Sequence, residues 1–174
     1  PSDVVMNGGG AGCSGSFKGF SERKTMNFKE ALRKGSYSLS LNGETKEAII
    51  AEMVDVLVDD GKISDRDAVI QAVMEREKKM STGLRHGVAI PHGKTPAVSD
   101  LVTAVCLKPE GVDFASADGQ PSRIFVMTIS SVLNTGPHMA YLAQISRLLN
   151  VSSVRESIVA ATSAEEILAI LDPD

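Results

Sequence analysis

A mixed β-sheet flanked by helices on both faces, within one α/β domain, is the architecture this sequence predicts. Three observations carry it. Segments of helical period and of strand period alternate along the chain, the pattern of a sheet covered by helices. Ile124 to Ile129 is a nearly unbroken apolar run, as a strand buried on both faces requires. At 174 residues, and with no internal repeat, the chain can bury a substantial core as a single unit.

Residues 1–25 stand apart. Gly8-Gly9-Gly10, Gly12, Gly15 and Gly19 lie among serines with no apolar periodicity, which predicts a flexible linker or N-terminal appendage. A Walker-type phosphate loop is not the expectation there, because its Gly-Lys-Ser/Thr ending is missing. Residues 26–174 form the predicted domain. Phe28 and Leu32, spaced by Lys29, Glu30 and Arg33, predict a short helix stopped at Gly35. Tyr37, Leu39 and Leu41 alternate with serines as a half-buried strand does, and Asn42-Gly43 turns the chain. Thr45 to Asp59 predicts a helix with Ile49, Met53, Val56 and Leu57 in one stripe, closed by Gly61. Ser64 is the expected N-cap of the next helix, which carries Val69, Val73 and Met74 inward and runs into Glu75-Arg76-Glu77.

Val88-Ala89-Ile90 reads as a short strand. Pro91 removes a ladder donor and Gly93 permits a sharp departure, so the strand is expected to end and to leave His92 on a loop. Thr103 to Leu107 predicts a strand, Gly111 and Asp118-Gly119-Gln120-Pro121 predict turns, and Ile124 to Ile129 the buried strand. A polar loop, Ser130 to Pro137, is expected to lead into His138 and a helix bearing Leu142, Ile145 and Leu149. Capping boxes at Ser153/Glu156 and Ser163/Glu166 predict two terminal helices, the last ending before Pro173.

The charge balance, 18 basic against 22 acidic residues with no basic run, argues against duplex nucleic acid as a partner. No apolar segment approaches the roughly 20 residues that span a bilayer, so no direct membrane insertion is expected. Cys106 belongs to an apolar strand and Cys13 to the glycine-rich start. Neither implies a disulfide framework, and a reducing cytoplasm is the expected location. The chain begins at Pro1, not methionine, and is read as processed or cut from something longer.

The three histidines, His86, His92 and His138, lie at irregular separations without an HExxH or Cys/His cluster; neither a metal nor a cofactor is expected. A neutral imidazole can instead attack phosphorus and hold the group as a phosphoramidate. That chemistry needs one bare, exposed ring nitrogen, the other fixed by a hydrogen bond, and positive charge for the phosphoryl oxygens. Arg76 offers a forked cation, Ser81 and Thr82 offer hydroxyls, and His138 at a helix start could add backbone N–H groups. Each has an ordinary alternative: a solvated helix-end charge, turn formers, a surface N-terminal residue. Spacing alone does not bring Arg76, His92 and His138 together.

The ordered set Arg76-Glu77-Lys78, Ser81-Thr82-Gly83 and Gly87-Val88-Ala89-Ile90-Pro91-His92-Gly93 resembles the signature of the fructose/mannitol-type enzyme IIA domain. That domain is the phosphoryl carrier of the bacterial sugar phosphotransferase system, with nitrogen-regulatory relatives. Gly111-Val112-Asp113-Phe114, Asp118-Gly119-Gln120-Pro121 and His138 extend the resemblance, which runs from about Met26 to Leu171. It implies a mixed sheet flanked by helices, a phosphohistidine at His92, and assistance from His138 and Arg76, with Ser81, Thr82 and Gly93 supporting the phosphate. It also implies that the phosphocarrier HPr or a nitrogen-branch homologue is the donor, and that an enzyme IIB cysteine is the acceptor in sugar uptake. Leu84-Arg85-His86 departs from the commoner Ile-Gly-Asn, placing added positive charge and a third imidazole near the signature, and Asn134-Thr135-Gly136-Pro137 is unusual. Two alternatives stay open: a regulatory module whose phosphorylation state sets affinity for a transporter or kinase, and the cytosolic tail of a membrane transporter. Gly93-Lys94 looks closer to the nitrogen-regulatory branch.

Overall fold

A computed structural model describes residues 27–174; the glycine-rich segment 1–25 and Cys13 lie outside the described residues. Among the described residues, five strands form one sheet and six helices cover it. In chain order these are α1 (Phe28–Arg33), β1 (Ser36–Ser38), α2 (Lys46–Asp59), α3 (Arg66–Lys79), β2 (Val88–Ala89) and β3 (His92–Lys94). They continue with β4 (Val102–Val112), β5 (Ser122–Ser130), α4 (Thr135–Leu149), α5 (Ser152–Ala160) and α6 (Ala164–Leu171).

β5 is the axis of the sheet. It pairs antiparallel with β4 and parallel with both β2 and β3, while β1 pairs parallel with β4. The mixed sheet is as expected. Successive β5 residues serve opposite cores: Phe125, Met127 and Ile129 pack with Ile49, Met53, Val69 and Val73 of α2 and α3. Ile124 and Val126 pack with Leu32, Leu142, Ile145, Ile158 and Ile167 on the other face. Strand alternation applied to an all-apolar run thus gives two cores from one segment. Cys106 is buried in the first, and desolvation pushes its thiol up to about 12.

Several boundaries differ from the sequence expectation. β1 stops at Ser38; Leu41 keeps one ladder-like bond, its N–H to the Leu107 carbonyl at 2.8 Å, but lies outside the strand. Asp65, not Ser64, caps α3, its side chain accepting from the Ala68 N–H at 3.1 Å. β4 continues past Leu107 to Val112 through a register irregularity that accommodates Pro109 and Gly111. α5 starts at Ser152 with no side-chain cap, so the Ser153/Glu156 box does not form. At α6 Ser163 does cap the Glu166 N–H, and the Glu166 carboxylate reaches back to the Thr162 N–H at 2.7 Å.

Two differences bear on the histidines. His92 is not on a loop: it opens β3, opposite Thr128 of β5. Pro91 lacks an N–H, yet its carbonyl accepts the Thr128 N–H at 3.1 Å, so the chain stays beside β5 and resumes pairing at once. Helix α4 begins at Thr135, three residues before His138, because the first turn of a helix needs few N–H donors and therefore tolerates Pro137.

Candidate functional site

Helix α3 and strand β3 approach unusually closely at Gly93. A Cβ there would stand 3.0 Å from the Val73 nitrogen and 3.1 Å from the Ala72 carbonyl carbon. Glycine lets the strand lie against the helix backbone, and this brings the face of α3 bearing Ala72, Glu75, Arg76 and Lys79 beside His92. Those residues, with Gly93, Lys94, His138 and Met139, line a cleft of about 350 Å³. The structure therefore places Arg76, the adjacent His92 and Gly93, and His138, which come from three separate elements, around one opening.

The His92 ring is half-buried, and its Nδ1 lies 2.8 Å from the Ile90 carbonyl oxygen. A carbonyl can only accept, so Nδ1 carries the proton and Nε2 keeps its lone pair. Burial lowers the His92 pKa below the usual imidazole value. The bond to Ile90 opposes this, Arg76 lowers it further, Glu77 raises it, and Lys94 lowers it. The net result is an imidazole that stays neutral at pH 7, with its free nitrogen the nucleophilic atom.

His138 is buried in the first turn of α4, its ring centroid 5.5 Å from that of His92 at an interplanar angle of 56°. Its Nδ1 lies 2.7 Å from Ser130 Oγ. Burial pushes its pKa down to about 4, with the positive charge that His92 would carry and that of Lys94 adding to the effect. Its backbone N–H is bound to the Asn134 carbonyl at 3.3 Å and Pro137 has none, so the free amides of this turn belong to Thr135 and Gly136. Arg76 donates one bond to the Met80 carbonyl at 2.9 Å, tying the guanidinium to the end of its own helix. Lys94 reaches Thr135 Oγ1 at 3.1 Å, linking β3 to the start of α4. Three cations against one carboxylate, Glu75, give this cleft the charge an anion requires.

Ser81 and Thr82 do not line the cleft. Ser81 Oγ donates to the Phe114 carbonyl at 2.7 Å, and buried Thr82 binds the Glu77 carboxylate through both its N–H and its hydroxyl. Their role is to fix the connection from α3 to β2. Glu77 is the buried centre of that connection, pairing also with Lys46 at 2.8 Å. Desolvation raises its pKa, but the hydrogen bonds from Lys46 and Thr82 together outweigh burial and the net shift is downward. His86 does not approach His92 through this cleft; it lines a separate one of about 450 Å³ with Arg123 and Arg155. Lys79, Lys94 and Met139 escaped the sequence reading as cleft residues. The spacing Ala72, Arg76, Lys79 marks one helix face and could have found Lys79 once Arg76 was chosen.

Residues 30–173 match the family model described as phosphoenolpyruvate-dependent sugar phosphotransferase system, EIIA 2. The chain belongs to that family. It is 35% identical over 147 residues to the PTS system fructose-specific EIIABC component of Bacillus subtilis, covering 84% of this chain but only 23% of that protein. The nitrogen regulatory protein IIA-Ntr of Neisseria meningitidis superposes with a TM-score of 0.75 at 30% identity, over 83% of this chain and 98% of the other. Enzyme IIAMTL of Escherichia coli, solved in complex with phosphorylated enzyme IIBMTL, gives 0.67 at 27% identity, over 78% and 93%. The EIIA fold and the phosphotransferase-component assignment both agree with the sequence reading. Among the described residues, no helix is long and apolar enough to cross a membrane.

Proposed function

We propose that His92 Nε2 is the atom that carries the phosphoryl group. The observation that supports this most is the 2.8 Å contact between Nδ1 and the Ile90 carbonyl, which leaves the opposite nitrogen bare in a cationic cleft. The Nε2 lone pair attacks phosphorus as the donor's P–N bond breaks, and that electron pair returns to the donor nitrogen. In the second half-reaction a thiolate sulfur attacks, a P–S bond forms, and Nε2 recovers its lone pair. Arg76 and His138 stabilise the charge on the moving group, and Gly93 sets the spacing that lets them do so. Ser81 and Thr82 support this indirectly, through Glu77.

The donor is HPr or a nitrogen-branch homologue and the acceptor an enzyme IIB cysteine, in the cytoplasm. Residues 26–174 form the phosphocarrier domain and residues 1–25 an appendage. The similarity to a nitrogen regulatory protein, at the higher TM-score, favours a second reading in which the phosphorylation state controls binding to a transporter or kinase. Incubation with phosphoenolpyruvate, enzyme I and HPr should give an acid-labile, base-stable phosphate that His92→Ala abolishes. Added enzyme IIB drains the label if the chain serves uptake and leaves it in place if the chain is regulatory. Labelling of His92→Ala to the wild-type extent would overturn the assignment.

A further inference from the structure

We propose that Ser130 is a positioning residue that sets the tautomer of His138, keeping the ring proton on Nε2, opposite to the arrangement in His92. The functional consequence rests on the reading of His92 as carrier; the tautomer assignment itself does not.

Ser130 ends β5, is fully buried, and lies on the sheet face that α4 covers. Its Oγ is 2.7 Å from His138 Nδ1, and among the described residues its side chain has no other hydrogen-bond partner. A hydroxyl facing one imidazole nitrogen either donates to it or accepts from it. If Ser130 accepted, its own proton would be buried with no acceptor, an arrangement proteins avoid because the desolvation cost is uncompensated. Ser130 therefore donates, and Nδ1 is the acceptor. Burial keeps the ring neutral at pH 7, so its single proton resides on Nε2.

Two histidines 5.5 Å apart thus hold complementary forms. The Ile90 carbonyl, an obligate acceptor, bares Nε2 of His92. The Ser130 hydroxyl, donating to Nδ1, holds the ring proton of His138 on Nε2. One ring is a nucleophile and its neighbour a neutral hydrogen-bond donor. With His92 as carrier, the same device keeps His138 from competing for the phosphoryl group: its other ring nitrogen bears the proton and has no lone pair to offer. It also supplies a donor for a phosphoryl oxygen without adding a further full charge to those of Arg76, Lys79 and Lys94.

The test uses the full chain with 15N-labelled histidine and long-range proton–nitrogen correlation at pH 7. The wild type is expected to show His138 as the Nε2–H form with Nδ1 accepting, and His92 as the Nδ1–H form. Ser130→Ala should leave His138 a mixture of tautomers and slow transfer from phospho-HPr roughly tenfold, part of the loss that follows removal of a whole transition-state donor. Ser130→Thr retains the hydroxyl and should restore both the spectrum and the rate. An Nδ1–H form of His138 in the wild type, or an unchanged His138 pattern in Ser130→Ala, would overturn the proposal. If Ser130→Ala does not fold, the wild-type and Ser130→Thr spectra decide it. Should the tautomers be as stated while His92 takes no phosphate, the carrier assignment fails and this one stands.

Discussion

Gly93→Ala is a one-methyl change that tests how the fold assembles the cleft. The added Cβ would sit 3.0 Å from one α3 backbone atom and 3.1 Å from another, with the Ala72 Cβ at 3.3 Å. None of these can move by a rotamer change, so β3 and α3 must separate by several tenths of an ångström. Overpacking of this kind costs about 1–3 kcal/mol. For a domain of this size that corresponds to a fall in Tm of roughly 2–12 °C, since each kcal/mol moves Tm by about 2–4 °C. Because Arg76 and His92 line one cleft beside this contact, phosphorylation should slow as well. Calorimetry gives the first effect, and single-turnover labelling from phospho-HPr gives the second. A Tm within a degree of wild type and an unchanged rate would show that the close approach does not position the site.

His138 is held neutral by burial with its pKa pushed down to about 4, whereas the unfolded ring titrates near 6.5. As pH falls below about 6.5 the unfolded chain takes up a proton that the folded ring refuses, so the His138 contribution should lower stability by on the order of 2 kcal/mol toward pH 4 and then level. Urea unfolding of wild type and His138→Asn at pH 7 and 5 reads this, and equal pH slopes would refute it. Glu77→Ala takes the carboxylate from Lys46, which keeps only Ser81 Oγ and the Phe114 ring, and strands the two Thr82 donors, which should cost about 2–4 kcal/mol by urea unfolding at pH 7. Because the Glu77 pKa is lowered on folding, wild type should lose this contribution only as pH falls through that depressed value. A chain beginning at Met26 should match the full chain in Tm and in phosphorylation rate, since the sequence of residues 1–25 offers no apolar face to dock; a large loss of either would contradict this.

What the sequence disclosed and what it hid follow a physical division. β5, the stripes of α2 and α3 and the cap Ser163 were legible because burial and capping write themselves into local spacing. The start of α4 was not, since Asn134-Thr135-Gly136-Pro137 carries no apolar period and a proline inside the first turn looks like loop. His92 was placed correctly beside the break at Pro91, but strand pairing after the break depends on Thr128, 36 residues away. Ser130 read as the first residue of a polar loop when it is the last of a strand, and its partner His138 decides its role. Glu77 sits in a charged run, and nothing local shows it to be buried; Lys46, 31 residues earlier, makes that burial tolerable. Residues whose function lies in pairing across the fold leave little trace in a local window.

The most direct test of the carrier assignment is phosphorus–nitrogen coupling in the phosphorylated, 15N-histidine-labelled protein. A single phosphohistidine is expected, with the phosphorus coupled to Nε2 of His92 while Nδ1 retains its proton. Coupling to Nδ1 of His92, or to either nitrogen of His138 or His86, would contradict it.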